Sequence, residues 1–330
     1  MNDQNELLQK TFLGHPIGLF YLFFTELWER FSYYGMRAIL VLYLVSETSG
    51  VNPGLGWSDR SALELYGWYT MFVYLATIPG GILADRYLGQ KKSVMIGGLL
   101  LCFGHGILAV EALWAFYTGL TFIVLGVGCL KGNISTMVGG LYSKTDHNKR
   151  DMGFYIFYMG INIGAAVSAL LVGYIGETYN WHYGFGLAGI GMAIGQLGYW
   201  KGQKYLVHVG NKVELETSNN KKSDNLFLQI FKKTNSLLGF SLTAIIGLYL
   251  GLNGVWDYGL LLIGIAFAVG FAIVVYNDGN KIEKDRIIVT YLAFLIVIVF
   301  WGSFEQAGGL MNLYASQKTD LALGSFMVPA

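Results

Sequence analysis

Nine apolar runs, each about as long as a bilayer is thick, constrain this chain more than any other feature. They extend over about residues 17 to 45, 63 to 84, 93 to 110, 115 to 140, 152 to 176, 184 to 200, 236 to 253, 258 to 276 and 288 to 310. A hydrocarbon core of about 30 Å requires about 20 apolar residues in a helix. The chain is 13% charged, whereas a soluble domain carries about 25% charged residues. We therefore expect an all-α integral membrane protein.

Lysine and arginine residues between the runs indicate how the helices are oriented. If the N-terminus is cytoplasmic, every Lys and Arg in the loops lies inside except Arg60 and Lys318. This is a strong positive-inside bias, so the N-terminus is predicted to be cytoplasmic. The first ten residues lack the basic segment and cleavage site of a secretory signal, and we expect the first run to remain a span. A formal net charge of +1 gives no reason to expect nucleic-acid binding.

The first apolar run contains a stripe of polar side chains. Glu26, Glu29, Arg30, Tyr33 and Arg37 follow one another at steps of three and four residues, which places them on one helix face. An ionisable residue at the centre of a span costs roughly 2.5 to 3.5 kcal/mol. The four charges therefore predict a water-filled or protein-lined pathway. The alternative is a static network of ion pairs that only joins helices.

Three further polar residues interrupt other apolar runs. Lys131 lies in mid-span among glycines, and Glu305 lies about five turns into the ninth run, one turn after Trp301. Both positions favour function over packing. Asn162 fits a functional role and a helix-packing contact equally well, because amides also join membrane helices.

The segment that begins Asp85-Arg86 joins the second and third runs on the predicted cytoplasmic side. An acid followed by a basic turn that contains glycine can form and break an ion pair across a sliding interface, which predicts a gate. The segment is similar to the loop that marks the major facilitator superfamily between its second and third helices.

Other residue types argue against a metal site and against an enzyme. Cys102 and Cys129 both lie inside apolar runs, and the five histidines are dispersed without ligand spacing. No serine elbow, phosphate loop or paired catalytic cysteine and histidine occurs in an exposed segment. We expect a chain without metal, cofactor or catalytic residues.

Five motifs, in order along the whole chain, resemble those of the proton-coupled oligopeptide transporters. They are Glu26-x-x-Glu29-Arg30-Phe31-x-Tyr33-Tyr34-Gly35, the Asp85-Arg86 loop, Lys131-Gly132-Asn133, Phe157-Tyr158-x-x-Ile161-Asn162-x-Gly164 and Phe300-Trp301-x-x-Phe304-Glu305-Gln306. The resemblance implies a fold of the major facilitator superfamily in a bacterial cytoplasmic membrane. Residues 1–200 would form the N-terminal six-helix bundle and 201–235 a cytoplasmic linker with an interfacial helix. Residues 236–276 would form two inserted helices, and 277–330 the start of the C-terminal bundle.

The resemblance also implies a substrate site for di- and tripeptides. Arg37 and Lys131 would hold the carboxylate of the peptide, and Asn162 would help to hold its amino group. The remaining substrate-binding residues would line the pocket with aromatic rings. They are Tyr33, Tyr74, Tyr158 and Trp301.

The acids would couple transport to protons, the only coupling ion expected. Glu26 and Glu29 would exchange a proton for an ion pair with Arg30. Glu305 would pair with Arg37 when the outer side closes, so that it competes with the peptide carboxylate for one guanidinium.

Two alternatives to peptide transport remain open for the function. Members of the same family carry nitrate or other small anions, which the cationic pair Arg37 and Lys131 would also suit. Because the family continues through five more helices beyond Ala330, we expect either a piece of a longer transporter or a truncated fragment that does not transport. Peptide preference, proton stoichiometry and oligomeric state are left open.

Overall fold

Helices make up most of the described chain, as the apolar runs predict. The computed structural model describes residues 10–143, 145–212, 280–324 and 326–330, with residues 246, 262, 264 and 276. In chain order over these residues the helices are α1 Ile17–Val45, α2 Asp59–Leu75, α3 Thr77–Leu83, α4 Gln90–Leu108, α5 Leu113–Gly140, α6 His147–Thr178, α7 Trp181–Gly202, α8 Lys281–Phe304 and α9 Leu310–Lys318. A π-helical turn covers Ala84–Leu88, and 3₁₀ turns cover Gln203–Tyr205 and Glu305–Gly308. Two short antiparallel hairpins pair β1 Thr11–Phe12 with β2 His15–Pro16 and β3 Ala322–Leu323 with β4 Phe326–Met327.

The chain divides into two compact units. The first comprises Met1–Glu214 with Glu305–Ala330, and the second comprises Leu215–Phe304. Helices α1 to α7 and α9 belong to the first unit. Helix α8 belongs to the second.

Side-chain caps begin several of the helices of the first unit. Ser58 accepts a hydrogen bond from the amide of Ser61 at the start of α2, and Asp146 accepts one from Lys149 at the start of α6. Asn180 caps α7 in the same way. Each cap satisfies one of the amides that a helix N-terminus leaves without an intrahelical partner.

Four helical segments of the described chain are long and apolar enough to cross a membrane. They are Gln90–Leu108, Leu113–Gly140, His147–Thr178 and Lys281–Gly308. Helix α1 spans about 43 Å at about 1.5 Å per residue and carries its four charged side chains between Glu26 and Arg37. Its boundaries, Ile17 and Val45, are those that the first apolar run predicts.

The second predicted span is wrong in one respect, because it is not continuous. Helix α2 ends at Leu75, and α3 begins at Thr77. Pro79 has no amide hydrogen to donate to the carbonyl of Leu75 four residues earlier, so the helix is interrupted there. The predicted spans at 236 to 253 and 258 to 276, and the interfacial helix predicted at about 226 to 233, lie outside the described residues.

The core of the first unit lies where α1 packs against α6 and α7 and where α4 packs against α5. Fully buried apolar side chains fill these contacts. Examples are Leu19, Met36, Ile39, Leu101, Ile123 and Phe185. Because the same helix α1 also carries the charged stripe, this packing holds the stripe in a defined orientation.

Helices α3 and α5 cross at two glycines. A Cβ at Gly80 would collide with the carbonyl oxygen of Gly128, and a Cβ at Gly128 would lie 2.6 Å from the carbonyl oxygen of Ala76. Only glycine permits such a close approach of two membrane helices. The crossing brings Lys131, one turn further along α5, towards the end of α2.

Residues 203–212, which the sequence assigns to the linker, pack onto the end of the first unit. Leu206 is fully buried, and its Cδ2 atom would lie 3.0 Å from a Cβ at Gly18 of α1. The amide of Lys91 donates a hydrogen bond to the carbonyl of Gly210 at 2.8 Å. This segment therefore connects the ends of α1 and α4.

Candidate functional site

Glu26, Glu29 and Arg30 form a buried ionic cluster in the middle of α1. The Nε atom of Arg30 lies 2.9 Å from Glu26 Oε1 and 2.5 Å from Glu29 Oε2. All three side chains are almost completely buried. Glu26 Oε2 and Arg30 Nη2 are buried without a hydrogen-bond partner among the described residues. Two carboxylates thus share one guanidinium where water is scarce, and part of their hydrogen-bonding capacity is unused.

Aromatic rings continue the stripe from Arg30 to Arg37. The guanidinium carbon of Arg30 lies 5.7 Å from the centre of the Tyr33 ring and 6.0 Å from that of Tyr34. That of Arg37 lies 5.8 Å from the Tyr34 ring. Tyr34 therefore contacts both cations of α1, and such cation–π contacts stabilise buried guanidinium groups.

Arg37 is the centre of a second ionic cluster. Its Nη1 atom lies 2.8 Å from Glu305 Oε2, and its Nη2 atom donates a hydrogen bond of 3.0 Å to the backbone carbonyl of Glu305. Its Nε atom donates to the hydroxyl of Tyr66 at 2.5 Å. Tyr66 in turn donates to the Glu305 carbonyl at 2.9 Å, and Tyr74 donates to Glu305 Oε1 at 2.8 Å. The guanidinium is fully engaged with one acid and one phenol.

Glycines allow the chain after Glu305 to approach Arg37 this closely. A Cβ at Gly308 would lie 2.6 Å from Arg37 Nε, and a Cβ at Gly309 would lie 3.0 Å from the Tyr66 ring. Further along, the side-chain amide of Asn312 donates a hydrogen bond of 2.6 Å to the carbonyl of Ala38. The 3₁₀ turn and α9 are therefore fastened directly to α1.

Lys131 lies between the two clusters. Its Nζ atom lies 4.4 Å from the centre of the Tyr74 ring, and its side chain is half-buried. The ammonium is close enough to Arg30, Glu29, Glu26 and Glu305 to interact electrostatically with all four. It is thus the cation shared by the ionic cluster of α1 and by the cluster around Arg37.

Glu305 lies near the end of the apolar helical segment Lys281–Gly308, as the sequence predicts. The α-helix α8 ends at Phe304, and Glu305 begins the 3₁₀ turn that follows it. Gly308 and Gly309 follow the turn and allow the backbone to approach Arg37 and Tyr66 closely. Trp301 belongs to the second unit, where its ring lies 5.3 Å from that of Phe304.

Of the other predicted site residues, some contact the two ionic clusters and others do not. Tyr33 is buried beside Arg30, and Tyr74 contacts both Glu305 and Lys131. Tyr158 is 59% exposed on α6, where its carbonyl accepts a hydrogen bond of 3.2 Å from the exposed amide of Asn162. These two residues form an open face rather than a contact with either cluster.

The predicted gate residues lie on the surface. Asp85 and Arg86 are both exposed in the π-helical turn Ala84–Leu88. Among the described residues, no group of three His, Cys, Asp or Glu side chains has the arrangement of a metal site.

Sequence reasoning missed Tyr66, Tyr34 and Asn312. Tyr66 lies eight residues before Tyr74 on α2, and this spacing of about two turns predicts a shared face. Tyr34 belongs to the first motif and lies between two arginines, but the sequence assigns it no role. No motif around Asn312 in the sequence indicates that its side chain contacts α1.

Comparison with known proteins relates the chain to one family. Residues 91–330 match the model of the POT family. The chain is 39% identical over 319 residues to the uncharacterized transporter YclF of Bacillus subtilis, covering 96% of this chain and 64% of that protein. It is 39% identical over 318 residues to the di-/tripeptide transporter of Lactococcus lactis subsp. cremoris, covering 95% of this chain and 63% of that protein. The chain thus spans a little less than two thirds of the length of these relatives.

Solved structures of the same family have the same fold. A peptide transporter POT crystallised in complex with sulfate has a TM-score of 0.80 and 36% identity, covering 99% of this chain and 67% of that chain. A POT family transporter in complex with 5-aminolevulinic acid has a TM-score of 0.79 and 32% identity, covering 98% of this chain and 66% of that chain. The prediction of an all-α membrane fold of the major facilitator type is confirmed. The relatives are transporters and not enzymes, as the sequence predicts. By its family model, its relatives and its fold, the chain belongs to the POT family of transporters.

Proposed function

We propose that this chain forms part of a proton-coupled symporter that imports di- and tripeptides by alternating access. The buried ion pair between Arg37 and Glu305 is the observation that carries the proposal. A relative named as a di-/tripeptide transporter, 39% identical, supports the substrate class. A POT family transporter solved with a thioalcohol-conjugated peptide supports it as well.

The peptide carboxylate would bind between Arg37 and Lys131. A guanidinium recognises a carboxylate with two parallel hydrogen bonds, and an ammonium adds a point charge. In the described geometry the guanidinium of Arg37 is already engaged by Glu305. A peptide carboxylate therefore competes with Glu305 for the same group, and binding it would release the chain that follows Glu305. This competition links substrate binding to a change of conformation.

The proton would bind at the ionic cluster of α1. With both acids ionised, Glu26, Glu29 and Arg30 together carry one negative charge, and the Lys131 ammonium nearby balances it. If Lys131 turns to a peptide carboxylate, the cluster is left with one unbalanced negative charge in a buried site. A proton on Glu26 or Glu29 restores neutrality, which couples uptake of one proton to binding of the peptide.

The open face of α6 would receive the rest of the peptide. Asn162 is exposed there and would bind the peptide amino group, while Tyr158 would contribute an aromatic wall. Asp85 and Arg86 would act as the gate at the cytoplasmic side. The family resemblance supports a bacterial cytoplasmic membrane as its location, and the distribution of Lys and Arg supports an N-terminus on the inside. Lipid, peptides and protons would be its partners, without nucleic acid or a cofactor.

A second candidate function is transport of nitrate or another small anion. The cationic pair of Arg37 and Lys131 suits any small anion, and a related peptide transporter POT has been crystallised with sulfate. The intact cluster of Glu26, Glu29 and Arg30 favours proton-coupled peptides over such an anion.

Uptake in liposomes tests the proposal. The purified protein is reconstituted, and uptake of labelled dialanine is measured with and without an inward proton gradient. We expect gradient-driven uptake that stops when an ionophore removes the gradient. Nitrate uptake without dialanine uptake would establish the second candidate and reject the first.

Lys131→Gln and Lys92→Gln form a matched pair for this assay. Lys131 lies between the two clusters, whereas Lys92 is exposed near the start of α4. We expect Lys131→Gln to lower dialanine uptake at least tenfold and Lys92→Gln to leave it unchanged. Equal uptake by the two variants would contradict the assigned role of Lys131.

A further inference from the structure

A groove of about 470 Å³ lies on the surface of the first unit between α1 and α7. Apolar side chains and one exposed lysine, in the last turn of α7, line the groove. The lining residues are Phe20, Tyr21, Phe24, Ile194, Leu197 and Lys201. This volume is within the range of about 300 to 1,000 Å³ that small-molecule sites occupy.

The groove is separate from the proposed peptide site. Phe24 and Tyr33 are nine residues apart on α1, so at about 100° per residue they point to opposite sides of the helix. Tyr33 is buried on the side of the ionic clusters, and Phe24 is 37% exposed on the other side. A molecule in the groove would not contact the peptide site.

The surroundings of the groove are those of a membrane interface. Leu197 is 56% exposed and Trp200 is 65% exposed on α7, which gives this end of the helix an exposed apolar face. Tyr21 stacks on Tyr205 with ring centres 5.3 Å apart. Tyrosine and tryptophan are enriched where a helix leaves the hydrocarbon core.

Two lysines give the rim of the groove a positive charge. Lys201 lines the groove itself, and Lys204 follows one turn later, with its Nζ atom 5.1 Å from the centre of the Tyr205 ring. Both side chains are exposed. An apolar slot with two ammonium groups at its polar end complements a molecule with a hydrocarbon chain and an anionic head.

Glycine shapes the floor of the groove. A Cβ at Gly198 would lie 2.5 Å from Cδ1 of Phe24, so a larger residue would push into the space between the helices. Gly198 thus allows the Phe24 ring to pack directly against the backbone of α7 at the groove.

We propose that the groove binds an anionic phospholipid, with one acyl chain between α1 and α7 and its phosphate head on Lys201 and Lys204. Because the basic loops of the chain share this side, the lipid comes from the cytoplasmic leaflet. That assignment of the leaflet rests on the proposed orientation of the transporter. The attraction of each lysine for an anionic surface is about 1 kcal/mol, which corresponds to about a fivefold change in affinity.

Native mass spectrometry of the full chain, purified in detergent, tests the proposal. Phosphatidylglycerol and phosphatidylcholine are titrated separately, and bound lipids per protein are counted. We expect wild-type protein to retain one phosphatidylglycerol more tightly than any phosphatidylcholine. We expect Lys201→Gln to weaken that binding about fivefold and Lys201→Gln with Lys204→Gln about 25-fold, while Lys92→Gln binds as wild type does. Equal binding of phosphatidylglycerol by all four proteins would overturn the proposal.

Leu197→Trp tests the apolar part of the site separately. The larger ring would fill the groove from an exposed position. We therefore expect the variant to fold normally, with the melting temperature of the wild-type protein. We expect the tight phosphatidylglycerol to be lost although both lysines remain. Retention of that lipid would show that it binds elsewhere on the surface and would overturn the proposal. Because lipid counting needs no transport, its outcome is independent of whether the protein carries peptides.

Discussion

The Nη1 atom of Arg37 lies 2.8 Å from Oε2 of Glu305, although the two residues are 268 positions apart in the chain. The Arg37 side chain is 5% exposed and that of Glu305 is 15% exposed. Removing one partner of such a buried pair leaves the other charge without compensation, at a cost of about 3 to 5 kcal/mol. The pair is therefore well suited to hold one conformation until a competing carboxylate arrives.

Glu305→Gln is expected to uncouple transport from protons. The neutral amide can still accept a hydrogen bond from Tyr74, but it no longer balances the charge of Arg37. Gradient-driven dialanine uptake should fall at least tenfold, and binding of the peptide should be retained. Glu64→Gln is the control, since Glu64 forms an exposed ion pair with Arg60 that contributes little. Uptake with an unchanged rate and an unchanged pH dependence in Glu305→Gln would reject the assigned role.

Arg37→Lys is expected to weaken peptide binding despite keeping the charge. The guanidinium makes three directed contacts, two with Glu305 and one with the hydroxyl of Tyr66. An ammonium does not have the planar fork that these contacts require. We expect dialanine affinity, measured by competition, to fall about tenfold or more. Affinity equal to that of wild type would mean that the charge alone suffices.

Gly80→Ala is expected to destabilise the protein and to impair the site. The added Cβ would collide with the carbonyl oxygen of Gly128, which forces α3 and α5 apart and moves Lys131 from Tyr74. Thermal melting in detergent should show a lower Tm and uptake should decrease. Gly67→Ala is the matched control, because nothing lies within 4 Å of a Cβ at that position of α2. Alanine favours a helix over glycine by up to about 1 kcal/mol, so the control should melt at the same temperature or slightly higher. Melting of Gly80→Ala at the control's temperature would contradict the close crossing.

Asn52→Ala is expected to loosen the loop between α1 and α2. The Asn52 amide donates to the carbonyl of Gly176 at 2.7 Å, and its oxygen accepts from the amide of Trp181 at 3.2 Å. These contacts join the loop to the end of α6 and the start of α7. Losing them should lower stability by about 1 to 3 kcal/mol, measured by chemical unfolding. Asn211→Ala removes one exposed local hydrogen bond and should have little effect. A loss of similar size in both variants would contradict the special role of Asn52.

The ionic cluster of α1 could be predicted because it is local. Glu26, Glu29 and Arg30 lie within five residues, and helical spacing alone places their side chains together. The contact of Arg37 with Glu305 is different, since only the family resemblance brought these distant residues together. Their shared partner Tyr66 was missed because a tyrosine in a chain with 22 tyrosines carries no signal of its own.

Backbone breaks limited the prediction of the helices. Apolar runs show how long a span is, but not where its hydrogen bonds fail. Pro79 interrupted the second span, although the apolar residues around it predicted one continuous helix. The ninth run changes from an α-helix to a 3₁₀ turn at Glu305, which its apolar composition does not indicate. The predicted roles of the peptide-binding, proton-coupling and gate residues stay predictions for the experiments above.

The separation of Arg37 from Glu305 along the chain has a consequence during biosynthesis. Ribosomes add about 5 to 20 residues per second, so Arg37 emerges roughly 13 to 54 seconds before its acidic partner. Before Glu305 is made, the Arg37 guanidinium would have the Tyr34 ring beside it and, once α2 has been made, the Tyr66 hydroxyl. These two tyrosines would then stabilise the positive charge of Arg37 during assembly of the protein, before any substrate binds.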